Sequence, residues 1–333
     1  MRAAYIDETG PPSVIKVGDL PVPEPGEREV LVRVHAASVN PVDTYIRSGM
    51  ISMPVPKPYI LGCDLAGVVE KTGPGCRRFK PGDRVWGSNQ GLLGRQGTFA
   101  EYAAVHEDWL YPIPEGVSFE EAAAVALVGI TAHLGLFRCA GLRSGEVLYV
   151  NGGTGGVGSM VVQMGKIVGA QVITTVGTDE KAQICRRWGA DLVLNYKTAD
   201  IEKEVLNFTD NQGVHVWYET QRDPLFDRIV HCTRLRGRIV LMAGREARPP
   251  FPVGPFYVKD LTMYGFAMFN ASPEEQRICA EDINRWLSEK KLEVLIGRVF
   301  PLEQAVEAHQ LQEDNTLRRT GTLMGKIVVK VAP

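Results

Sequence analysis

Between Leu148 and Val162 the chain reads LYVNGGTGGVGSMVV. A short apolar run leads into a glycine turn and then into a second, longer apolar run. Gly153, Gly155 and Gly158 supply G-x-G-x-x-G between a predicted strand and a predicted helix, the only context in which that spacing is informative. The first glycine permits a tight turn, the second lets the backbone approach a pyrophosphate, and the third lets helix pack on strand. Thr154, Gly156 and Val157 complete the loop. The helix start then offers unpaired N–H groups and the positive end of its dipole to phosphate. A segment of this kind commits its surroundings to a parallel α/β sheet that binds a dinucleotide.

The rhythm around the turn agrees. From about 125 to 266 strand candidates at Val147–Val150, Gln171–Val176, Leu192–Leu194, Val214–Tyr218, Arg238–Met242 and Leu261–Tyr264 alternate with helical segments. Among these are Asp179–Trp188 and Ile201–Phe208, the second following Asp200. Such alternation builds a doubly wound parallel sheet. Residues 1 to about 122 differ. They are β-rich and punctuated by Pro and Gly, as at Pro23–Gly26, Gly73–Gly75 and Pro81–Asp83, which suggests a small barrel or sandwich. Ser118-Phe119-Glu120-Glu121 and Ser272-Pro273-Glu274-Glu275 are capping boxes that open helices. Gly325-Lys326-Ile327-Val328-Val329 reads as a strand returning to the first domain. The expected organisation is a catalytic domain, 1–124 plus 267–333, into which a dinucleotide-binding domain, 125–266, is inserted.

A length of 333 residues favours two domains. A formal charge of −2 without a long basic run argues against nucleic acid or an anionic membrane as main partner. No apolar run approaches bilayer-spanning length, and MRAAYIDETG lacks a signal core. The six scattered cysteines form no C-x-x-C pair, which fits neither a zinc ribbon nor a disulfide framework. A reducing cytoplasm is the expected location.

Ser38–Gly49 reads SVNPVDTYIRSG, 61–70 reads LGCDLAGVVE, 81–87 reads PGDRVWG and 97–102 reads GTFAEY. With the glycine turn, these resemble the zinc-free, zeta-crystallin-like quinone oxidoreductases of the medium-chain dehydrogenase/reductase superfamily. The resemblance runs along nearly the whole chain. It implies a Rossmann-type sheet inserted into a GroES-like β-barrel domain, NADPH as cofactor, and a homodimer, with the edge strands near Leu261–Tyr264 as the expected pairing. Matching motifs puts Asn40 and Cys63 at two of the zinc-ligand positions of metal-bearing relatives, and a third falls near Leu127, so no metal set survives. A small buried core residue is the expectation for Cys63.

Losing a Lewis acid favours an acceptor that is already electrophilic, such as a quinone or an enone. The resemblance places Asn40 and Tyr45 near the nicotinamide as oxyanion donors, with Asp43 orienting them. The structural alternatives are a turn residue before Pro41 and a packing aromatic. Gly177 and Thr178, at the end of the second strand, are expected to line the cofactor; Lys181 and Tyr196, joined by Arg318 or Arg319, match positions that meet a 2′-phosphate. Asp179 is expected as a helix N-cap. Thr131 matches a residue near the nicotinamide, or else bonds its own helical turn. Tyr218–Asp223, YETQRD, departs from the family and places charge near the nicotinamide ribose. An enone or enoyl-thioester reductase and a non-catalytic NADPH-binding protein remain alternatives.

Overall fold

The fold is known from a computed structural model that describes residues 1–331. Two compact units emerge. Unit 1 comprises Met1–Val128, Ala280–Glu289 and Val294–Pro333; unit 2 comprises Gly129–Cys279 and Lys290–Glu293. Two of the divisions, after Val128 and after Cys279 rather than at 124 and 266, fall inside helices, and the other two flank the short segment Lys290–Glu293 between elements.

In unit 1, β1 (Arg2–Ile6) pairs antiparallel with β2 (Lys16–Asp19) and with β4 (Tyr59–Ile60). The larger sheet is organised on β3 (Glu29–Val39). One edge of β3 runs antiparallel to β5 (Asp64–Thr72), followed outward by β6 (Arg84–Gly87) and β8 (Leu110–Pro112). Its other edge is shared. β7 (Tyr102–His106) takes Glu29–Arg33, and the returning chain takes Ala36–Val39. Alternation along β3 puts Val30, Val32 and Val34 on one face, where they meet Leu65, Val69, Val85 and Val105. α1 (Pro41–Ser48) follows β3 directly, and α2 (Phe119–His133) opens at the Ser118–Glu121 capping box, both bonds of which form.

Unit 2 holds six parallel strands: β9 (Val147–Val150), β10 (Gln171–Val176), β11 (Leu192–Asn195), β12 (Val214–Glu219), β13 (Thr233–Leu241) and β14 (Thr262–Gly265). Their spatial order is β11-β10-β9-β12-β13-β14. The order reverses beside β9, the strand that carries the glycine turn, and that switch point is where open α/β sheets bind ligand. The helices are α3 (Gly156–Ile167), α4 (Asp179–Arg187), α5 (Ile201–Phe208), α6 (Phe226–Cys232) and α7 (Val253–Val258). Tyr149, Ile173, Trp217 and Ile239 form the core of one sheet face, with the Tyr149 and Trp217 rings stacked at 3.7 Å.

α8 (Pro273–Ser288) starts with its capping box intact. β15 (Ile296–Pro301), α9 (Ala305–Thr316) and β16 (Lys326–Lys330) then return to unit 1. β16 pairs antiparallel with β3, Ile327 opposite Val39, so the C-terminal strand does complete the first sheet.

One expectation is corrected. The 21-residue stretch Phe119–Cys139 is long and apolar enough to cross a membrane. Of its most apolar window 78% is buried, so the apolarity serves the core.

Candidate active site

In unit 2 the glycine turn is pinned from below. Gly152 takes φ +67°, a left-handed conformation, and donates its N–H to Thr175 Oγ1 at 3.0 Å. Gly153 donates to the Thr175 carbonyl at 2.9 Å. The residue that makes the tight turn is therefore Gly152, which lies just outside the G-x-G-x-x-G spacing. Gly153 instead provides space: a Cβ there would lie 2.4 Å from Thr174 Oγ1. Gly155, the N-cap of α3, is exposed, and a Cβ on it would meet only the Gly152 carbonyl. A Cβ on Gly158 would lie 2.1 Å from that carbonyl. Gly156, Val157 and Gly158 form the first turn of α3, whose N–H groups have no helical partner.

Asn151 ties this loop to the sheet. Its Oδ1 accepts from the Tyr149 hydroxyl at 2.8 Å and from Thr175 Oγ1 at 3.1 Å, and its Nδ2 donates to Glu219 at 2.8 and 2.9 Å. Glu219, 2% exposed, also accepts from Trp217 Nε1 and from the Gln221 N–H. Burial raises its pKa, and these donors pull the other way. The expected intrusion of charge into the ribose region is thus corrected for Glu219, which turns inward and holds the loop. Thr220 Oγ1 donates to the Asn151 carbonyl at 2.8 Å.

Thr131 lies in α2 and is 3% exposed; its Oγ1 has no hydrogen-bond partner. Self-bonding to its own turn, the alternative for this residue, is not what forms. Its carbonyl accepts from the Tyr218 hydroxyl at 3.0 Å, where the helix loosens into a π-turn at Leu134–Cys139. A buried hydroxyl without a partner, together with a glycine loop that added Cβ atoms would fill, fits a dinucleotide.

At the end of β10, Gly177 is buried, and a Cβ on it would lie 2.5 Å from the Tyr196 hydroxyl. The helix N-cap is Thr178, whose side chain accepts from the Lys181 N–H at 3.3 Å; Asp179 is the first helical residue and exposed, which corrects its expected capping role. Lys181 is half-buried, and burial together with the charge of Lys197 lowers its pKa. Arg318 and Arg319 belong to unit 1, where Arg318 pairs with Asp314 at 2.9 Å.

In unit 1, Asn40 and Asp43 cap α1. Pro41 occupies the first helical position, where its missing N–H costs nothing. Asp43 Oδ2 accepts from the Asn40 N–H at 2.7 Å. Asn40 is 0% exposed, and its side chain is committed: Nδ2 donates to Asp64 Oδ2 at 2.7 Å, and Oδ1 accepts from the Lys326 ammonium. Asp64 also accepts from Ser38 Oγ at 2.8 Å and Ser88 Oγ at 2.7 Å. Burial pushes Asp43 up to about 7, while Cys63, hydrogen-bonded to it, holds it down. Cys63 is itself fully buried, and burial raises its thiol well above the usual range. Tyr45, one turn into α1, is half-buried.

Among the described residues no group of three or more His, Cys, Asp or Glu side chains is arranged to hold a metal. Sequence reasoning passed over Gly152 and Lys326 as site residues and took Glu219 for an intruding charge. Lys326 did carry a signal, a charged residue opening the otherwise apolar run KIVVKV.

The family described as "Alcohol dehydrogenase GroES-like domain" matches residues 26–115, and "Zinc-binding dehydrogenase" matches 156–284. The quinone oxidoreductase of Sus scrofa is 32% identical over 313 residues, 93% of either chain. The chain belongs to the quinone oxidoreductases of the medium-chain dehydrogenase/reductase superfamily. As an oxidoreductase of this superfamily it also matches solved structures over full length. The Escherichia coli quinone oxidoreductase complexed with NADPH superposes with TM-score 0.88 at 27% identity, covering 99% of this chain and 100% of that one. A structure described as an NAD-dependent alcohol dehydrogenase gives TM-score 0.89 at 33% identity, with full coverage of both chains.

The zinc in the second family description does not fit here. Asn40 Oδ1 is held by an ammonium, Asp64 already accepts from three hydrogen-bond donors, burial disfavours the thiolate of Cys63 that a zinc ligand requires, and Leu127 offers no donor atom.

Proposed function

We propose that the protein passes reducing equivalents from NADPH to quinones or related activated carbonyl acceptors without a metal. The observation that carries this reading is the pairing of two features. One is a glycine loop with an unpartnered Thr131 hydroxyl in unit 2; the other is a polar centre in unit 1 whose donor set suits an ammonium rather than zinc.

When bound, NADPH supplies the hydride, or electrons singly, and the protein supplies orientation and charge stabilisation. The first turn of α3 and the Gly155 N-cap hold the pyrophosphate. Thr131, whose buried Oγ1 lacks a partner, would help hold the nicotinamide end. Lys181, Tyr196 and Thr178 take the 2′-phosphate, with Gly177 leaving room for the Tyr196 phenol. Arg318 and Arg319 are carried forward as further contacts to that phosphate. Because the Asn40 side chain is fully buried between Asp64 and Lys326, oxyanion donation falls on the Tyr45 hydroxyl, while Asn40 and Asp43 fix the start of the helix that carries it. An electrophilic acceptor needs no more than one or two such donors.

A steady-state assay tests this reading with wild type, Tyr45→Phe and Lys181→Ala, using 1,4-benzoquinone, a 2-alkenal and crotonyl-CoA. Wild type should oxidise NADPH with the quinone, and Tyr45→Phe should lower kcat about 100-fold with little change in the KM for NADPH. Lys181→Ala should raise the KM for NADPH at least about 10-fold and spare that for NADH. Turnover of the thioester alone sinks the quinone reading. Equal effects on the two cofactors favour the NADH use suggested by the NAD-dependent neighbour. The non-catalytic alternative, allowed by the crystallin resemblance, drew added weight from the Glu219–Asp223 departure, and it loses that weight because Glu219 serves the glycine loop.

The expected homodimer is retained. β14 pairs only with β13 inside the chain, and α7 beside it in sequence leaves Val253, Tyr257 and Val258 62–67% exposed. Sedimentation of the full chain as a monomer would remove it.

A further inference from the structure

Lys326 opens β16 and is 5% exposed, yet it sits among acids rather than at a surface. Its ammonium donates to the Val39 carbonyl at 2.7 Å and to Asn40 Oδ1. Asp64, the carboxylate that the same Asn40 amide bridges, is fully buried and bound by Ser38, Asn40 and Ser88. Asp43 and Cys63 lie close enough to act on the ammonium electrostatically. Burial works to discharge Lys326, and the carboxylates, Asp64 foremost and then Asp43, oppose that. An ammonium taken out of water without a counter-ion costs several kcal/mol, so its presence here implies that the cluster is built around it.

We infer that Lys326 is the resident cation of this centre: its ammonium takes the role a divalent metal plays in metal-dependent relatives, fixing Asn40 and neutralising Asp64. The linkage is short. Lys326 holds the Asn40 carbonyl oxygen, Asn40 holds Asp64, and the Asn40 N–H holds Asp43 at the first turn of α1. Lys326 is thus a positioning residue for the helix that carries Tyr45. The kinetic part of this inference rests on the quinone reductase reading, whereas the charge pairing and the metal exclusion do not.

Lys326→Met, Lys326→Arg and the double variant Lys326→Met/Asp64→Asn test it in the full chain. Without substrate or cofactor, Lys326→Met should melt about 10 °C below wild type, because it strands a buried carboxylate. The double variant, which removes both charges, should recover part of that loss. Equilibrium dialysis against Zn²⁺ with elemental analysis should find no stoichiometric zinc in wild type. In the NADPH–quinone assay, Lys326→Met should lose at least about 10-fold in kcat with the KM for NADPH unchanged, and Lys326→Arg should restore most of it. A merely structural lysine would lower the melting temperature and leave kcat per folded chain intact. Stoichiometric zinc in wild type, a double variant melting below the single one, or a Lys326→Met enzyme with wild-type kcat overturns the inference. Absence of quinone turnover in wild type, with the melting and dialysis results as expected, instead removes the substrate reading and leaves the cation in place.

Discussion

Gly158→Val should abolish NADPH binding, weakening it about 1,000-fold or more, while the far-ultraviolet dichroism stays close to wild type. The loss equals about 4 kcal/mol, the worth of two charge-assisted hydrogen bonds. A Cβ at Gly158 would stand 2.1 Å from the Gly152 carbonyl, and that carbonyl has nowhere to retreat. Gly152 is held left-handed with its N–H on Thr175 Oγ1, and Gly153 is bonded to the Thr175 carbonyl. The start of α3 must therefore swing away, and its N–H groups leave the position at which they meet a pyrophosphate. The rest of α3 is anchored by buried Met160, Val161, Val162 and Met164, so the sheet persists. Titration of NADPH fluorescence against the variant measures the effect. A Kd within a few-fold of wild type would show that α3 does not hold the phosphates.

Glu219→Ala should lower the melting temperature by about 10 °C and loosen cofactor binding together with it. The carboxylate is the shared acceptor for Asn151 Nδ2, Trp217 Nε1 and the Gln221 N–H. Removing it strands these donors in or beside the core, each at about 1–3 kcal/mol, less in sum because the site relaxes. A net loss of about 3–4 kcal/mol corresponds to the stated shift for a unit of this size. Asn151 also accepts from Tyr149 and Thr175, so its release frees the strand end from which the glycine turn springs. Glu219→Gln keeps one acceptor oxygen and should fall between the two. Calorimetry decides the point: a Glu219→Ala protein melting with wild type would make the network incidental.

What could be read from the chain alone follows from how its information is carried. Helix starts at Ser118, Asp200 and Ser272 depend on partners three residues away, and all three form with the expected side chains. The order of the parallel sheet follows from a glycine turn and an alternating rhythm, which are local signals as well. Glu219 illustrates the limit. Its partner Asn151 lies 68 residues away, so a buried acid read as a charged intrusion. Lys326 is farther still from Asn40, 286 residues, and in sequence it is one polar residue at the head of an apolar strand. Asn40 read as an oxyanion donor or a turn residue before Pro41; that it starts a helix, and that its side chain is buried against Asp64 and Lys326, depended on strands that pair only in the folded chain. Gly152 was passed over for a subtler reason: the glycine spacing marks close approach as well as backbone conformation, and here different glycines meet the two demands.

The pairing of β16 with β3 bears on how the molecule is made. Synthesis delivers β3 early and β16 almost last, with the whole of unit 2 between them. On the ribosome the parallel sheet can therefore assemble from a contiguous stretch while the first sheet still lacks β15 and β16. Until Lys326 emerges, Asp64 waits without its counter-ion beside an open edge of β3. A nascent or truncated chain that stops short of residue 326 would combine a finished nucleotide unit with an exposed strand edge, a form suited to capture by chaperones and prone to self-association.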